Sequence, residues 1–546
     1  MHVPVLIVGA GPVGLALAGD LGWRGIQCLI AERTDGSIYQ PKMDAVGIRT
    51  MEFCRRWGIT PWVEQSPYPR DYPQDNVYVT SLRGYQLGRE PMSSMADSAP
   101  PPQSPAHRER CPQNMFDPIL RRFASSFSEV NLRYHCELID FWQDDQRVTA
   151  VLSDSSGAET TVTADYLVGC DGASSLVRQK LGVRMSGRDL LTYTTNVVFR
   201  CAQLPGLHDK GLAYRFILIG PEGTWATLVA INGRDRWRFS LIGDGTPREW
   251  TRQEIDGAIR RALGADFDFE IETVVPWTRR ELVAESYGSG RVYIAGDAAH
   301  MMSPTGGFGM NTGIGDAVDL AWKLEASVRG WGGPGLLASY TAERRPVAAR
   351  VATESTRNLE AMLSPRQRPL DGLLEAGAAG DRTRSDLGAH MIDVMKNEWF
   401  SLGLHLGLRY DESPVCVPDG TPVPPSPVTS YTPTTRPGAR APHAWLGEGR
   451  STLDLFGRRF VLLRLGDNPP SGQAMLAAAS RKNVPMRVET ISDERAAAAY
   501  ERSLVLVRPD GFVAWRADEE PADPDTVVDV VRGAHGTEQA TGSATA

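Results

Sequence analysis

Apolar residues in the first part of the chain follow strand and helix periods in alternation. Residues 3–8 predict a buried strand, residues 12–24 an amphipathic helix, and residues 27–31 a second strand. Nearly 300 residues after the first strand, the apolar run 291–295 predicts another buried strand, and a helix is expected at 315–329. This alternation predicts an α/β fold built on a parallel sheet. Further helices and strands are predicted nearby at 47–57, 112–123, 148–152, 160–163 and 166–170.

Residues 191–243 have a different pattern, because apolar and polar residues alternate there with a period of two. Gly, Pro and Asp residues separate the successive apolar runs and predict turns. Such alternation is typical of an antiparallel sheet, so we expect a sheet domain inserted into the α/β fold. Its strands are predicted at 196–201, 213–219, 224–231 and 237–242.

The remainder of the chain is expected to be mostly helical from 342 to 409, and the prolines of residues 413–442 predict a linker. Strand and helix periods beyond it predict a small α/β module of about 100 residues. The expected organisation is a nucleotide-binding domain at 1–185 with a loop insertion at 66–110, a β-sheet substrate domain at 186–275, the return of the nucleotide-binding domain with a helical segment at 276–412, the linker at 413–442, the module at 443–535 and a disordered tail at 536–546.

Composition excludes several classes of protein. The 546 residues carry a formal net charge of −8, which gives no support for a nucleic-acid or anionic-membrane partner. The seven cysteines are scattered without a CxxC pair, so we expect neither disulfides nor a metal site, and a cytoplasmic location. No apolar run reaches the ~18 residues of a membrane helix. Residues 1–21 could imitate a signal peptide, but they lack a basic start, and their glycines favour a strand, turn and helix.

A glycine fingerprint follows the first predicted strand. Gly9, Gly11 and Gly14 have the GxGxxG spacing, which allows a tight turn and a close approach of pyrophosphate to a helix N-terminus. Glu32 ends the second strand about 20 residues later, where an acid accepts a ribose hydroxyl. The sequence therefore predicts a dinucleotide site, which also includes Pro12, Val13 and the adjacent Arg33.

A second acidic motif follows the strand at 291–295. Asp297 lies at the end of that strand, where its carboxylate can accept a hydroxyl group of a ligand. The glycines after it let backbone N–H groups approach the ligand closely. The candidate ligand-binding residues of this loop are Pro304, Gly307, Phe308, Gly309, Met310 and Asn311.

The glycine fingerprint, Gly296-Asp297 and the middle motif Asp171-Gly172 together resemble those of the class A flavoprotein aromatic hydroxylases, the single-component FAD monooxygenases. The resemblance covers essentially the whole chain. It is closest to the branch of phenol hydroxylase, 2,4-dichlorophenol 6-monooxygenase, 3-(3-hydroxyphenyl)propionate hydroxylase and actinobacterial natural-product oxygenases. It implies a Rossmann-like FAD-binding domain with an inserted antiparallel substrate sheet and a C-terminal thioredoxin-like domain. Because no cysteine follows Cys416, this last domain cannot perform dithiol exchange.

The same resemblance implies an enzyme that consumes NAD(P)H and O2 and hydroxylates a phenolic or polycyclic aromatic substrate through a flavin C4a-hydroperoxide. The fingerprint would hold the ADP half of FAD, and Asp297 the ribityl and pyrophosphate. Asp171 would serve both FAD and NAD(P)H, while Gln113 and Arg49 would lie near the flavin. No second GxGxxG is present, so we expect transient NAD(P)H binding. The protein is expected to be a monomer or homodimer.

The substrate side is less sharply defined by the sequence. Asp44 matches an aspartate that serves the phenol hydroxyl in phenol hydroxylase, and Arg238 matches an arginine near that site. Asp44 could equally be a solvated loop residue or a helix cap, and Arg49 could pair with Glu52. Aromatic and polar residues of the inserted sheet are candidates for the pocket wall, although an ordinary core would have the same pattern. These substrate candidates are Tyr214, Phe216, Trp225, Thr227 and Phe239.

Two alternative functions stay open at this point. The first is another flavin-dependent oxidation, such as epoxidation or oxidative decarboxylation, of a fused-ring natural-product intermediate. The second is a protein that holds FAD without catalysis and binds an aromatic ligand.

Overall fold

Strands and helices cover most of the chain in the computed structural model, which describes residues 1–447 and 449–535. The tail expected at 536–546 lies outside the described residues. The strands are β1 (His2–Val8), β2 (Cys28–Ala31), β3 (Ala45–Val46), β4 (Asn76–Val79), β5 (Gln86–Glu90), β6 (Glu109–Arg110), β7 (Val130–Arg133), β8 (Cys136–Gln143), β9 (Val148–Asp154), β10 (Glu159–Gly169), β11 (Met185–Arg200), β12 (Arg215–Gly220), β13 (Gly223–Ala230), β14 (Arg236–Ile242), β15 (Glu270–Ala284), β16 (Gly288–Ser289), β17 (Val292–Ile294), β18 (His300–Met301), β19 (Phe460–Leu465), β20 (Met486–Ile491), β21 (Leu504–Val507) and β22 (Val513–Ala517). The helices are α1 (Pro12–Trp23), α2 (Ile48–Trp57), α3 (Thr60–Glu64), α4 (Gln113–Ala124), α5 (Leu176–Lys180), α6 (Arg252–Leu263), α7 (Gly309–Val328), α8 (Ser339–Leu363), α9 (Ala378–Val394), α10 (Lys396–Trp399), α11 (Leu402–Leu406), α12 (Gln473–Arg481), α13 (Glu494–Tyr500) and α14 (Pro524–Val531).

The first sheet has a parallel centre in the order β17, β10, β1, β2 and β7. The central strands read as continuous apolar runs because helices and further strands cover both of their faces. Strands β9 and β8 extend β10 as an antiparallel meander, and the short β16 pairs with β17. The expected α/β fold with a Rossmann-like parallel sheet is confirmed.

The second sheet is larger than the sequence pattern indicated. Its order is β18, β15, β11, β14, β13, β12, β4 and β5, and all neighbours are antiparallel except β12 and β4. Strands β4 and β5 come from residues 66–110, the segment expected as a loop insertion. The 15-residue β15 runs past residue 275, where the return of the first domain was expected, and pairs with β11 along most of its length.

Helix α7 begins at Gly309, six residues before the predicted start. The glycines at its N-terminal end obscured the helical pattern, but close packing requires one of them. A Cβ atom at Gly313 would lie 2.6 Å from the Val13 side chain and 3.0 Å from the Cα atom of Gly296. Glycine therefore lets α7 pack directly on both nucleotide-binding motifs.

The C-terminal module is a four-stranded sheet in the order β20, β19, β21 and β22, with β19 and β20 parallel. Helices α12 and α14 pack together on one face, where their apolar residues join Trp322 and Trp331 in one buried cluster. Residues 413–442, expected as a linker, pack closely against this module, since Val415 belongs to the same cluster. Across the described ranges, no helix is both long and apolar enough to cross a membrane.

Candidate active site

The three predicted motifs converge at one edge of the first sheet. Strands β1, β10 and β17 are neighbours and parallel, so the residues that follow them, Gly9, Asp171 and Gly296, lie at the same edge. Backbone hydrogen bonds from Cys170 to Val8 (2.8 Å) and from Ala295 to Gly169 (3.0 Å) continue the pairing into the motifs. Ligands of such sheets bind at the carboxyl ends of the strands, which makes this edge the candidate cofactor site.

The glycine fingerprint forms a cradle that fits a pyrophosphate. Gly9 has φ +99°, and a Cβ atom there would lie 2.5 Å from the carbonyl oxygen of Cys170. At Gly14 a Cβ atom would lie 2.0 Å from the carbonyl oxygen of Gly9, whereas at Gly11 it would meet no protein atom within 4 Å. Helix α1 begins at Pro12 without an acidic residue in its first turn, so its N-terminus offers partial positive charge to an anion.

Glu32 closes the far side of this cradle. One oxygen of its carboxylate accepts the backbone N–H of Ala10 (2.9 Å), and the other accepts the backbone N–H and hydroxyl of Thr34. These bonds hold the carboxylate at the end of β2, next to the fingerprint, where it can accept a ribose hydroxyl. Arg33, next in sequence, is exposed.

The middle motif joins the other two. The Asp171 carboxylate accepts the backbone N–H of Val177 through Oδ2 (3.1 Å), while its buried Oδ1 has no hydrogen-bond partner in the described part of the chain. Arg178 donates to the carbonyl oxygens of Ala298 (3.0 Å) and Ala173 (2.8 Å) and so ties this motif to the Asp297 loop. An orphaned carboxylate oxygen at the strand edge fits a ligand hydroxyl or N–H donor.

The Asp297 loop presents backbone and carboxylate groups to the same edge. Asp297 is exposed between the buried Gly296 and Ala298, so its carboxylate is free to meet a ligand. Gly307 has φ +69° and open space beside it. Phe308 packs its ring on Val351 and Leu404, away from the open side of the loop. Together, the cradle, the orphaned oxygen and the open carboxylate fit FAD. Pro304 is exposed, while Gly309 and Met310 are partly buried in the first turn of α7.

Asn311, Gln113 and Arg49 bond to the protein itself. The Asn311 side chain accepts from the Gly47 N–H and the Thr50 hydroxyl (both 2.7 Å) and donates to Ala45 and Gly307. It therefore fastens α2 to α7.

Gln113 likewise accepts the Lys42 N–H (3.0 Å) and donates to Asp117 (3.1 Å). Burial raises the pKa of Asp117 to about 7. Arg49 pairs with Glu52 at 2.7 Å, the alternative that the sequence left open.

A cavity of about 250 Å³ lies between the loop at 304–307, the loop at 40–45 and the second sheet. We call residues 304–307 the flavin loop after their predicted ligand. Asp44, Arg238, Tyr214 and Thr227 line it, so four of the substrate-side candidates meet here. Its apolar wall includes Val229, Trp277 and Trp399, together with the side chains of Met43, Met92 and Met362.

Asp44 is the centre of a hydrogen-bonded group in this cavity. Its carboxylate pairs with Arg238 at 2.5 Å and accepts the Tyr214 hydroxyl at 2.9 Å. Burial alone would raise the pKa of Asp44, but Arg238, together with Arg110 and the Tyr214 hydroxyl, outweighs burial and holds the pKa below its usual value. The Arg110 guanidinium lies 3.6 Å from the ring centroid of Tyr214. Asp44 is therefore a buried, ionised acceptor rather than a solvated loop residue or a helix cap.

Three aromatic candidates do not reach the cavity. Phe216, Trp225 and Phe239 lie in the core on the opposite face of the second sheet. Phe239 is adjacent to Arg238 on β14, so the two side chains lie on opposite faces of the sheet. Tyr214 precedes the first residue of β12, so counting in steps of two from Tyr214 does not give the face of Phe216. Trp225 is the extra residue of a β-bulge, because Leu218 pairs with Ala226 while Ile219 pairs with Thr224. The bulge moves Trp225 to the face opposite Thr227.

The cavity also contains charged residues that the sequence did not single out. Arg215 pairs with Glu398 at 2.8 Å, and Glu398 accepts the Gly306 N–H at 3.1 Å. Arg108, Arg110 and Arg279 also line the cavity, and none of them has a carboxylate partner among the described residues. Burial lowers the pKa values of Arg108 and Arg279 to about 10, so both are still charged at neutral pH. The arginines come from four separate strands and a preceding loop, and no sequence motif connects them.

Comparison with known proteins gives a consistent result over the whole chain. A model described as an FAD binding domain matches residues 2–355, and one described as the C-terminal part of aromatic-ring hydroxylases matches residues 434–537. The chain is 35% identical to a putative polyketide hydroxylase of Streptomyces halstedii, covering 95% of this chain and 94% of that protein. It is 33% identical to the tetracenomycin B2 monooxygenase-dioxygenase of Streptomyces olivaceus, covering 97% and 98%.

Solved structures of the rebeccamycin biosynthetic enzyme RebC superpose closely on this fold. One contains 7-carboxy-K252c after a chromopyrrolic acid soak, and another contains reduced flavin. Each has a TM-score of 0.90 and 39% identity, and each covers 98% of this chain; the shares of their own chains are 100% and 99%, respectively.

The glycine cradle makes a direct prediction about FAD. Gly11→Ala should raise the FAD dissociation constant roughly tenfold or more, because the added methyl group occupies space that pyrophosphate needs and no protein atom fills. The Tm of the apoprotein should not fall, since φ −70° and ψ 179° suit alanine. Gly14→Ala is the contrasting variant and should lower the apoprotein Tm as well, because its methyl group overlaps Gly9. Fluorescence titration with FAD and thermal melts would measure both; unchanged FAD affinity in Gly11→Ala would contradict the assignment.

Proposed function

The chain belongs to the FAD-dependent aromatic-ring hydroxylases, and from this premise we propose that its substrate is a fused-ring phenol that carries a carboxylate. As a member of this family it is a monooxygenase that hydroxylates an aromatic compound with NAD(P)H and O2. When bound, FAD would supply the redox chemistry of this reaction: two electrons would come from NAD(P)H, one oxygen atom of O2 would enter the new C–OH bond, and the other would leave as water. The observation that carries the proposal is the surplus of buried arginines in the cavity.

Arg108, Arg110 and Arg279 form no ion pair within the described part of the chain, and only Asp44 and Glu398 lie near Arg110 and Arg279, so the cavity favours an anionic ligand. A buried charge without a partner costs several kcal/mol, so a ligand that supplies negative charge removes that cost on binding. Arg279 donates to the Thr194 hydroxyl at 3.0 Å, and its Nη1 lies 3.5 Å from the Ser303 hydroxyl beside the flavin loop. Among the described residues, the one hydrogen-bond acceptor of the Arg108 guanidinium is the sulfur of Met92, at 3.7 Å. Both guanidinium groups keep donors available for a carboxylate.

The uncharged part of the wall suits a flat ring system. Trp277 and Trp399 offer aromatic surfaces, and Val229 and Met43 offer aliphatic ones. Aromatic side chains stack on fused rings with a large apolar contact area. The bound compound of the RebC structure is a carboxylic acid by name, which supports a carboxylated polycyclic ligand for this chain.

Asp44, Arg238 and Tyr214 would orient the phenol. The lowered pKa of Asp44 makes its carboxylate a weak base, so its main contribution is to accept a hydrogen bond from the phenol or from Tyr214. The positive charges of Arg238 and Arg110 oppose burial and the Asp44 carboxylate, which together raise the pKa of Tyr214 in the same group. We therefore expect a bound phenol to stay protonated and to donate to Asp44. This hydrogen bond increases the electron density at the ortho and para carbons, which eases electrophilic oxygen transfer to the ring.

A second reaction on the same substrate class is oxidation with loss of the carboxylate as CO2. Arg279 would hold a carboxylate next to the flavin loop, and this placement favours oxidative decarboxylation over the epoxidation that the sequence also left open. Hydroxylation is our first assignment because Asp44, Arg238 and Tyr214 form a group that can hydrogen-bond with a phenol hydroxyl.

Product analysis with isotopically labelled dioxygen distinguishes these reactions. We expect a hydroxynaphthoic acid to stimulate NAD(P)H oxidation and to yield a product with one labelled oxygen and an intact carboxylate. Mass spectrometry would measure both, and hydrogen peroxide would be assayed to quantify uncoupled turnover. A product that has lost CO2 would favour the second reaction, and absence of any labelled product across a panel of fused-ring phenolic acids would refute the proposal.

The Arg279→Met variant tests the anionic substrate. Its KM for the acid should rise roughly 10- to 100-fold, since a hydrogen bond to a charged group contributes about 1.5–3 kcal/mol. The KM for the methyl ester of the same acid should change little. Arg280→Met is the matched control, because Arg280 is adjacent on β15 and pairs with Asp189 away from the cavity. Equal effects on acid and ester would count against a carboxylate at Arg279.

The Asp44→Asn variant tests the orienting group. We expect kcat for a phenol to fall at least tenfold with normal FAD content, because the amide cannot compensate Arg238 or accept as strong a hydrogen bond. Tyr214→Phe, which keeps the Asp44–Arg238 pair, should have a smaller effect. Since the pKa of Asp44 is lowered, wild-type kcat/KM should show no acid limb from this group above about pH 4. Wild-type turnover in Asp44→Asn would remove Asp44 from the reaction.

A further inference from the structure

We propose that the C-terminal module (residues 443–535) is a bracket that fixes the spacing between α2 and α7 on either side of the flavin site and positions Arg49. The module has no cysteine, so its contribution must come from its contacts. Arg55 of α2 pairs with Asp454 of the module, and Trp322 of α7 packs in the module's apolar cluster. One turn, residues 508–512 between β21 and β22, contacts both helices. We call this segment the 508–512 turn.

One end of the 508–512 turn is attached to α7 and α8. Arg508 is fully buried and pairs with Asp319 on α7 at 3.1 Å and with Glu343 on α8. Lys323 joins the same two carboxylates from α7. Nearby carboxylates, Asp510 and Glu343 above all, outweigh the cost of burial and raise the pKa of Arg508 well above its usual value, so it stays charged. Separating Arg508 from these carboxylates would leave a buried charge without a partner, so the 508–512 turn is held firmly against α7 and α8.

The other end of the 508–512 turn is attached to α2. Arg49 donates to the carbonyl oxygen of Asp510 at 3.1 Å, and its guanidinium lies 4.5 Å from the ring centroid of Phe53 and 5.5 Å from that of Phe512. Arg56 donates to the same carbonyl oxygen at 3.1 Å. The Arg49 side chain is therefore held between its own helix and the module.

Arg440 reinforces this attachment from the segment that precedes the module. Its backbone forms a bridge with Phe512, and its buried guanidinium pairs with Glu52, the partner of Arg49. Glu52 also accepts the Ser104 hydroxyl at 2.6 Å. Arg440 and Arg49 therefore both pair with the Glu52 carboxylate.

The spacing of α2 and α7 matters because each helix directly follows a wall of the active site. Helix α2 begins after the loop of Asp44 and Gly47, and α7 begins at Gly309 after the flavin loop. Asn311 joins the two helices on the flavin side, and the 508–512 turn joins them on the far side. Between these two attachments lies a small cavity of about 50 Å³, whose lining includes Arg49, Phe308 and Phe512. A change in this spacing would move both walls of the cleft that receives the flavin ring.

The Phe512→Leu variant tests the bracket in the full-length protein. It removes the ring that contacts Arg49 but leaves the Arg508 ion pairs, and we expect the FAD dissociation constant to rise about tenfold. The fraction of NAD(P)H oxidation that ends in hydrogen peroxide should also increase. Phe512→Tyr keeps the ring and should restore wild-type FAD affinity. FAD affinity is measured by fluorescence titration without any substrate, so this result stands even if the proposed substrate is wrong.

The matched control is Arg516→Gln. Arg516 is buried in the same module and pairs with Asp419 and Glu501, and within residues 1–447 and 449–535 no hydrogen bond or ion pair links it to α2 or α7. This variant should lower the Tm without changing FAD affinity at a temperature where the protein is folded. If Phe512→Leu behaves like Arg516→Gln, with a lower Tm and wild-type FAD affinity, the module only adds stability and the bracket is refuted.

A double-mutant cycle tests the contact itself. Arg49→Lys and Phe512→Leu should each weaken FAD binding, and the double variant should be no weaker than the stronger single effect, because both changes break one contact. Effects on the FAD dissociation constant that multiply independently would show that Arg49 is not positioned through Phe512.

Discussion

Parallel pairing of β1, β10 and β17 is the constraint on which the cofactor site depends. Parallel strands share a direction, so the residues after their carboxyl ends must lie at one edge. Residues 9, 171 and 296 are far apart in sequence, yet they follow three consecutive strands of the sheet. The backbone bonds of the strands continue into the motifs, and α7 can approach them because Gly313 has no side chain. The rest of the active site is arranged around this edge.

The two faces of the second sheet carry different kinds of side chain. Its inner face carries Arg238, Ser240, Thr227 and Val229 toward the cavity, and its outer face packs Phe216, Trp225 and Phe239 in a core. The aromatic residues therefore support the sheet, while the arginines and Asp44 define the chemistry of the pocket. The flat apolar contacts come instead from Trp277 on the long β15 and from Trp399 on α10.

Buried charge is used in two ways in this protein. Behind the cofactor site, Arg508 and Lys323 are matched by Asp319, Glu343 and Asp510, so the charges join three parts of the chain. In the cavity, the cations outnumber their carboxylate partners. A buried cation with an ion-pair partner holds two parts of the chain in a fixed geometry, whereas a cation without such a partner is available to an anionic ligand. This difference separates the structural arginines of the molecule from those we assign to substrate binding.

The sequence by itself determined the α/β class, the three cofactor motifs, the inserted sheet and the small C-terminal module. These features depend on local period and on glycine and acidic residues at fixed spacing, which neighbouring residues largely decide. It could not determine the direction of Trp225, because a bulge shifts the alternation, or the true start of α7, because glycines there serve packing. Arg49 and Asn311 have ligand-like chemistry, but in the folded chain their partners are Glu52, Asp510 and Gly47.

Only the tertiary structure brought Arg108, Arg110 and Arg279 together, and only it left them without carboxylates among the described residues. The balance of positive and negative charge in a cavity depends on side chains from strands that are distant in sequence, so the local pattern of residues cannot predict it.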